Sequence, residues 1–191
     1  MSDPAEAPAA GGVRAEDWHI ERRRLDHPDS LRLVTAVQGE YVLLYGGPDR
    51  SPMHPDHFEP PSGGFLVGYL AGEPVATAGW RRIERVAGQP PAAVPAELKR
   101  MFVLPAHRGR GLSRRMLAAV EEDAAAHGIS HLVLETGSRQ PAAIALYRSS
   151  GYTDVDGTGW AEYHREPGAV ILGRPLTGGP VAGDGRAQPP R

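Results

Sequence analysis

Two hydrophobic periods divide the chain into helices and strands. Leu112, Met116, Leu117, Val120 and Ala124 recur at the spacing of one helix face, with Arg114, Arg115, Glu121 and Glu122 lying off it. This predicts an amphipathic helix over 112–127, stopped by Gly128. An earlier helix begins at Asp26-His27-Pro28-Asp29, where an acidic cap precedes a first-turn proline. Leu31, Val34, Leu43 and Leu44 are expected on its buried side, and Gly46-Gly47-Pro48 ends it. A third opens at Gln140-Pro141 and runs through Ala143, Ile144, Leu146 and Tyr147 to a stop at Gly151. Short apolar or alternating runs predict strands at 18–25, 64–70, 74–80, 98–104, 131–135, 152–155 and 170–172. Ala71-Gly72-Glu73 joins two of them as a hairpin. The stretch 49–64, rich in Pro and His, reads as a long surface loop with room for a short helix, and 83–95 reads as a second loop. Strands that begin as a hairpin and then alternate with helices predict an α+β fold with helices on both faces of a mixed sheet.

Composition narrows the class without naming an activity. The 191 residues suffice for one domain with a substantial core, placed at 16–176. Residues 1–15 and 177–191 are dominated by Ala, Pro and Gly without periodicity and read as disordered tails. A net charge of -2 gives no global signature of nucleic acid or membrane. No cysteine is present, which excludes disulfides, thiolate metal sites and a cysteine nucleophile. Lys99 is the only lysine, which points to genomic base composition rather than to a binding surface. No apolar run approaches the roughly 20 residues that span a bilayer, and no signal-peptide pattern opens the chain, so a cytoplasmic protein is expected.

The chemistry concentrates in Arg108-Gly109-Arg110-Gly111-Leu112-Ser113, between a predicted strand and the predicted helix at 112. Such a turn aims bare backbone N–H groups and the positive helix end at an anion. Its glycines permit close approach and its arginines add charge. It is not a Walker loop, because no Gly-Lys-Ser/Thr follows, and not a dinucleotide fingerprint, because the third glycine is missing. Taken alone it reads equally as an ordinary helix cap. Arg22-Arg23-Arg24 and Arg81-Arg82 fall in strands, where neighbours point to opposite faces, so they read as solvated edges rather than nucleic-acid patches. The histidines show no zinc-like spacing, and no metal is expected. Trp80 and Trp160 read as core or rim aromatics.

Three segments in order carry a resemblance. Residues 97–117 (ELKRMFVLPAHRGRGLSRRML) resemble the acyl-CoA binding motif of the GNAT acyltransferase superfamily, 131–135 its next strand, and 140–152 (QPAAIALYRSSGY) the family segment Asn-x-x-Ala-x-x-Leu-Tyr-x-x-x-Gly-Phe/Tyr. The resemblance is strong over 97–155 and rests on element order before that. Ser113 stands where Gly or Ala is usual, and Gln140 where Asn is usual. The resemblance implies a GNAT-type α+β fold with a central mixed, mostly antiparallel sheet whose two middle strands splay apart. It implies an N-acetyltransferase that carries an acetyl group from acetyl-CoA to a primary amine of a small molecule or peptide, by direct attack in a ternary complex.

The same resemblance assigns roles. The amides of Gly109, Arg110, Gly111 and Ser113 would cradle the pyrophosphate, with Leu112 in the same turn and Arg108 or Arg110 reaching a phosphate. The pantetheine would pair with the strand edge at Met101, Phe102 and Val103, and a backbone N–H near Phe102 would stabilise the oxyanion. Gln140 and Ala143 complete the expected donor contacts. Tyr147 is the candidate acid for the departing thiolate, against a reading as a core tyrosine. Glu97 is the candidate base for the amine, against a reading as a solvent-facing acid at a strand end; Glu135 and Glu84 are alternatives. The acceptor would enter between 41–57 and 157–168. Asp56, Glu59 and Glu162 suit a cationic amine and Arg81 or Arg82 a carboxylate, so the acceptor class stays open. A homodimer through the late strands is compatible with the resemblance. A non-catalytic acyl-CoA-binding or interaction module on the same fold is the rival reading.

Overall fold

Helix and strand boundaries follow local chemistry. In the computed structural model, which describes residues 18–83, 93–155 and 168–176, α1 (Pro28–Tyr45) starts where the His27 ring accepts a hydrogen bond from the Asp29 amide at 3.2 Å. It ends at Gly46 in the left-handed conformation. α2 (Leu112–Ala126) buries Leu112, Met116, Leu117, Val120 and Ala124, the face its period predicts. α3 (Pro141–Ser149) follows the Gln140-Pro141 start. β2 (Gly63–Leu70) and β3 (Glu73–Arg82) form the hairpin, its two-residue turn holding Ala71 at φ 50° and Gly72 at φ 81°. Both values are positive, as the favoured hairpin turn requires.

With β1 (Trp18–Arg22), β4 (Pro95–Val103), β5 (His131–Gly137), β6 (Thr153–Asp154) and β7 (Ala169–Pro175), these strands make a seven-stranded sheet in the order β1-β2-β3-β4-β5-β7-β6. β4 and β5 pair in parallel and the other neighbours are antiparallel. Trp80, Met116, Leu117, Leu132, Leu134 and Leu172 build the core between the sheet and α2. Leu33, Phe58, Phe65, Val67 and Tyr69 build a second core under α1. Each such fully buried side chain contributes about 1.5–3 kcal/mol of transfer free energy. Among the described residues no helix is long and apolar enough to cross a membrane.

Several expectations are corrected. α1 buries Ser30, Leu33 and Val37, whereas Leu31 is 49% and Leu43 87% exposed. The helix is apolar on more than one side, so its sequence period did not select the packed face. β4 starts three residues earlier than predicted, which puts Glu97 inside the sheet at 0% exposure; the solvent-facing reading of that residue is excluded. The short helix allowed for in the 49–64 loop is present as a 3-10 helix (Pro55–Phe58); what was not expected is that it drives Phe58 fully into the core. Residues 1–15, 177–191, Glu84, Trp160 and Glu162 lie outside the described residues.

The feature that positions the site is a defect in β4. Thr77 of β3 lies opposite Phe102 and Gly79 opposite Lys99, so Arg100 and Met101 face the single residue Ala78. Arg100 takes φ 54° to make this bulge. Pairing of β4 with β5 runs from Pro95 opposite His131 to Glu97 opposite Val133 and stops there, although both strands continue. The middle of the sheet therefore opens into a V beyond Glu97.

Candidate active site

A cavity of about 390 Å³ lies against the β4 side of that opening. Met101, Phe102 and Val103 of β4 line it, together with Arg108, Gly109, Gly111, Leu112 and Ser113 from the turn and Gln140, Ala143 and Tyr147 from α3. Eleven of the thirteen candidate residues are thus brought together. Arg110 is exposed and off the cavity wall, and Glu97 does not line it either. The opposite wall is made by Val37, Glu40, Tyr41 and Leu44 of α1 with Arg139 beside them; Tyr41 and Leu44 fall in the 41–57 stretch expected beside the acceptor, and the other three carry no motif. No signal local to the glycine turn could reveal it, because α1 is some sixty residues upstream.

At the turn, Gly109 has φ 76° and Gly111 φ 75°, a conformation that L side chains rarely adopt. Gly111 is the N-cap of α2, and no side chain caps that helix. A Cβ added at either glycine would meet nothing within 4 Å, so the turn opens onto free space. The first amides of a helix have no intrahelical acceptor. Here they face outward with the positive end of the helix behind them. Two expected ligand-facing side chains are occupied by protein partners. Arg108 donates from Nε to the Val103 carbonyl at 3.0 Å and pairs with Glu40 of α1 at 2.5 Å. Gln140 donates to the Tyr45 hydroxyl at 3.0 Å. Both contacts tie α1 to the donor side of the cavity.

Tyr147 is 6% exposed and packs against Tyr152 with ring centroids 5.6 Å apart. Burial pushes its phenol above the usual tyrosine range, and the neighbouring Tyr41 phenol adds to the shift. Burial thus favours the protonated phenol, which carries a proton to donate.

Glu97 belongs to a buried ionic cluster on the α1 face of the sheet. Its Oε2 accepts from Arg81 Nε at 2.9 Å and its Oε1 lies 2.9 Å from Lys99 Nζ. Lys99 also bonds the Ser51 hydroxyl at 3.2 Å, and Arg81 donates to the Pro52 carbonyl at 3.1 Å. Arg82 donates to the carbonyls of Pro61 and His127 at 2.8 and 2.7 Å. Arg81 is buried and serves the protein's own carboxylate and a carbonyl, contrary to the solvated-edge reading, whereas Arg82 is exposed as expected and donates to two carbonyls. Arg22 pairs with Asp123, which also accepts from the Trp80 indole at 2.6 Å, another internal use of an expected edge arginine. Asp56 is exposed on the short 3-10 helix, and Glu135 lies on β5, opposite Ile171 of β7. Among the described residues no group of three or more His, Asp or Glu side chains is placed to hold a metal.

Residues 31–152 match the sequence profile of the Acetyltransferase (GNAT) family, well over half of the chain. The chain belongs to that family. Over 80 residues it is 44% identical to the IAA acetyltransferase of Azospirillum brasilense, a match covering 42% of this chain and 51% of that protein. The chain therefore spans about half the length of that relative. A second relative, the N-acetyltransferase YjgM of Escherichia coli, is 29% identical over 137 residues, covering 69% of this chain and 78% of its own. Among solved structures, a Klebsiella pneumoniae protein described as an acyl-CoA N-acyltransferase superposes with a TM-score of 0.66 at 28% identity, covering 83% of this chain and 97% of the other. A GNAT acetyltransferase of Elizabethkingia anophelis with acetyl-CoA bound superposes with a TM-score of 0.57 at 17% identity, covering 84% and 99%, a likeness of fold alone. The α+β architecture with a mostly antiparallel sheet is the GNAT fold.

Proposed function

We propose that this chain transfers an acetyl group from acetyl-CoA to the primary amine of a small molecule or peptide, by direct attack within a ternary complex. One observation carries the reading. The open edge of β4, the uncapped start of α2 and the Tyr147 phenol all border one cavity. These residues fit an extended, diphosphate-bearing thioester. The turn offers outward amides to a diphosphate, the strand edge beyond Glu97 offers backbone groups to a peptide-like arm, and Tyr147 offers a proton between them. When bound, acetyl-CoA supplies a thioester carbonyl for the amine to attack and a sulfur that departs.

The chain's own groups supply the rest. The amides of Gly109, Arg110, Gly111 and Ser113, with Leu112 beside them, hold the diphosphate. Arg108 reaches it by leaving Glu40, and Arg110 adds charge from the surface. Met101, Phe102 and Val103 align the arm, and a backbone N–H near Phe102 offsets charge developing on the carbonyl oxygen. Gln140 and Ala143 close the α3 side. Tyr147 protonates the departing sulfur. An alkylammonium with pKa of about 10 must lose a proton before it can attack. Glu97 is the candidate base; it does not line the cavity, so it acts through a water relay, and its pairing with Arg81 and Lys99 weakens it as a proton acceptor.

A panel of amines in a CoA-release assay tests this on wild type, Tyr147→Phe and Glu97→Gln. Tyr147→Phe is expected to lower kcat about ten-fold or more with little change in acetyl-CoA affinity. Unchanged turnover removes Tyr147 from the mechanism. Acetyl-CoA binding without CoA release on any amine would favour a non-catalytic acyl-CoA-binding module instead.

A further inference from the structure

The α1 wall gives the cavity a shape that the donor motifs do not determine. Tyr41 lines it, as do Phe102 and Tyr147. The turn follows Val103, so an extended donor held there has its reacting end toward the β4 bulge. Tyr41 lies at that end, because the guanidinium carbon of Arg100, the bulge residue, is 5.9 Å from its ring centroid. The Arg100 side chain is 2% exposed and is paired with Asp49. Asp49 is itself fixed three times over. Its carboxylate accepts from the Ser51 amide at 2.7 Å, its carbonyl accepts from Gln38 Nε2 at 3.0 Å, and its amide donates to Gln38 Oε1 at 2.9 Å. Gln38 is on the same helix as Tyr41. The ring is therefore clamped between its own helix and the bulge.

On the donor reading above, we propose that Tyr41 limits the acyl group to acetyl, and that Asp49 and Arg100 are positioning residues that keep its ring from swinging aside. A ring free to rotate would make room for a longer chain. A clamped one makes each added methylene push against a packed wall, where one methylene changes selectivity by about 10-fold or more.

Calorimetric titration with CoA, acetyl-CoA and butyryl-CoA tests this without knowledge of the acceptor. Wild type is expected to bind acetyl-CoA about 10-fold or more tighter than butyryl-CoA. Tyr41→Ala should collapse that ratio toward unity by strengthening butyryl-CoA binding, while Tyr41→Phe, which keeps the ring, should retain the ratio. Asp49→Asn, which also loosens the β4 edge, should narrow the ratio on top of any common loss of affinity for all three ligands; a merely structural lesion would weaken all three alike and leave the ratio unmoved. Equal binding of acetyl- and butyryl-CoA by wild type, or an unmoved ratio in Tyr41→Ala, overturns the proposal. Failure of wild type to bind CoA at all would instead sink the donor reading, so the two failures are distinguishable.

Discussion

Substitution of Gly111 separates the two roles that its turn can have. At φ 75° and ψ 2° the residue is in left-handed space, and a Cβ there would touch nothing within 4 Å. Gly111→Ala therefore loses no contact and incurs only the conformational cost, about 1–2 kcal/mol. For a domain of this size that lowers Tm by about 2–4 °C per kcal/mol. Gly111→Glu incurs the same backbone cost, but its carboxylate sits at the positive end of α2 and recovers about 0.3–1 kcal/mol. The glutamate variant should melt no lower than the alanine variant. Affinity should run the other way. One negative charge about 4 Å from a diphosphate oxygen costs about 1 kcal/mol in bulk water and about 4 kcal/mol at the effective dielectric of a protein surface. CoA affinity should fall between about five-fold and about a thousand-fold below that of the alanine variant. Thermal melts of the free variants and calorimetry with CoA at fixed ionic strength read both quantities. If Gly111→Glu binds CoA as tightly as Gly111→Ala, the turn is only a helix start and the diphosphate assignment is wrong.

Two further outcomes follow from the charges around the cavity. Glu40→Gln should tighten CoA binding about two- to five-fold in calorimetry at low salt, because it releases Arg108 and removes a like charge from the diphosphate site; weaker binding would show that Glu40 supports the site instead. Burial alone would raise the Asp49 carboxyl, but Arg100, with Ser51 and Lys99, outweighs it and holds the group well below the usual carboxylate range. A depressed folded pKa stabilises the protein above the unfolded value of about 3.9 and is lost as pH falls through the folded one. Denaturant midpoints measured from pH 7 down to 3 should therefore drop less steeply for Asp49→Asn than for wild type, and parallel curves would refute the pairing.

The turn wall of the cavity was legible because its signals are local. The spacing of Leu112, Met116, Leu117, Val120 and Ala124 selects one face of α2, and Gly109 and Gly111 mark backbone that only glycine adopts easily. Which face of α1 forms a wall was not legible. That helix carries Leu31, Leu33, Val34, Val37, Val42, Leu43 and Leu44, which lie on several sides of it, and only tertiary packing chooses Leu33 and Val37 over Leu43. The ionic cluster escaped for another reason. The pairing of Asp49 with Arg100 joins residues about fifty apart, and nothing in either segment specifies its partner. Glu97 was found by resemblance, yet its burial between Arg81 and Lys99 depends on strand register, which places Arg81 opposite Glu97 across β3 and β4.

The bulge connects these two halves. A non-glycine residue in left-handed backbone costs about 1–3 kcal/mol and persists only where its surroundings over-determine it. Arg100 is such a residue, and what determines it lies on the far side of the sheet from α2: the Asp49 carboxylate, anchored through Gln38 and the Ser51 amide. The bulge at Arg100 and Met101 falls just beyond the last β4–β5 pair at Glu97, so it sits where Met101, Phe102 and Val103 gain their open edge. The loop at 49–54, read in sequence as part of a long surface loop beside the acceptor, thus contacts Arg100 and Lys99 of the strand on which the donor is proposed to lie. Changes made there to alter acceptor choice should therefore also shift donor affinity, whereas changes at Asp56, exposed and outside that clamp, should not.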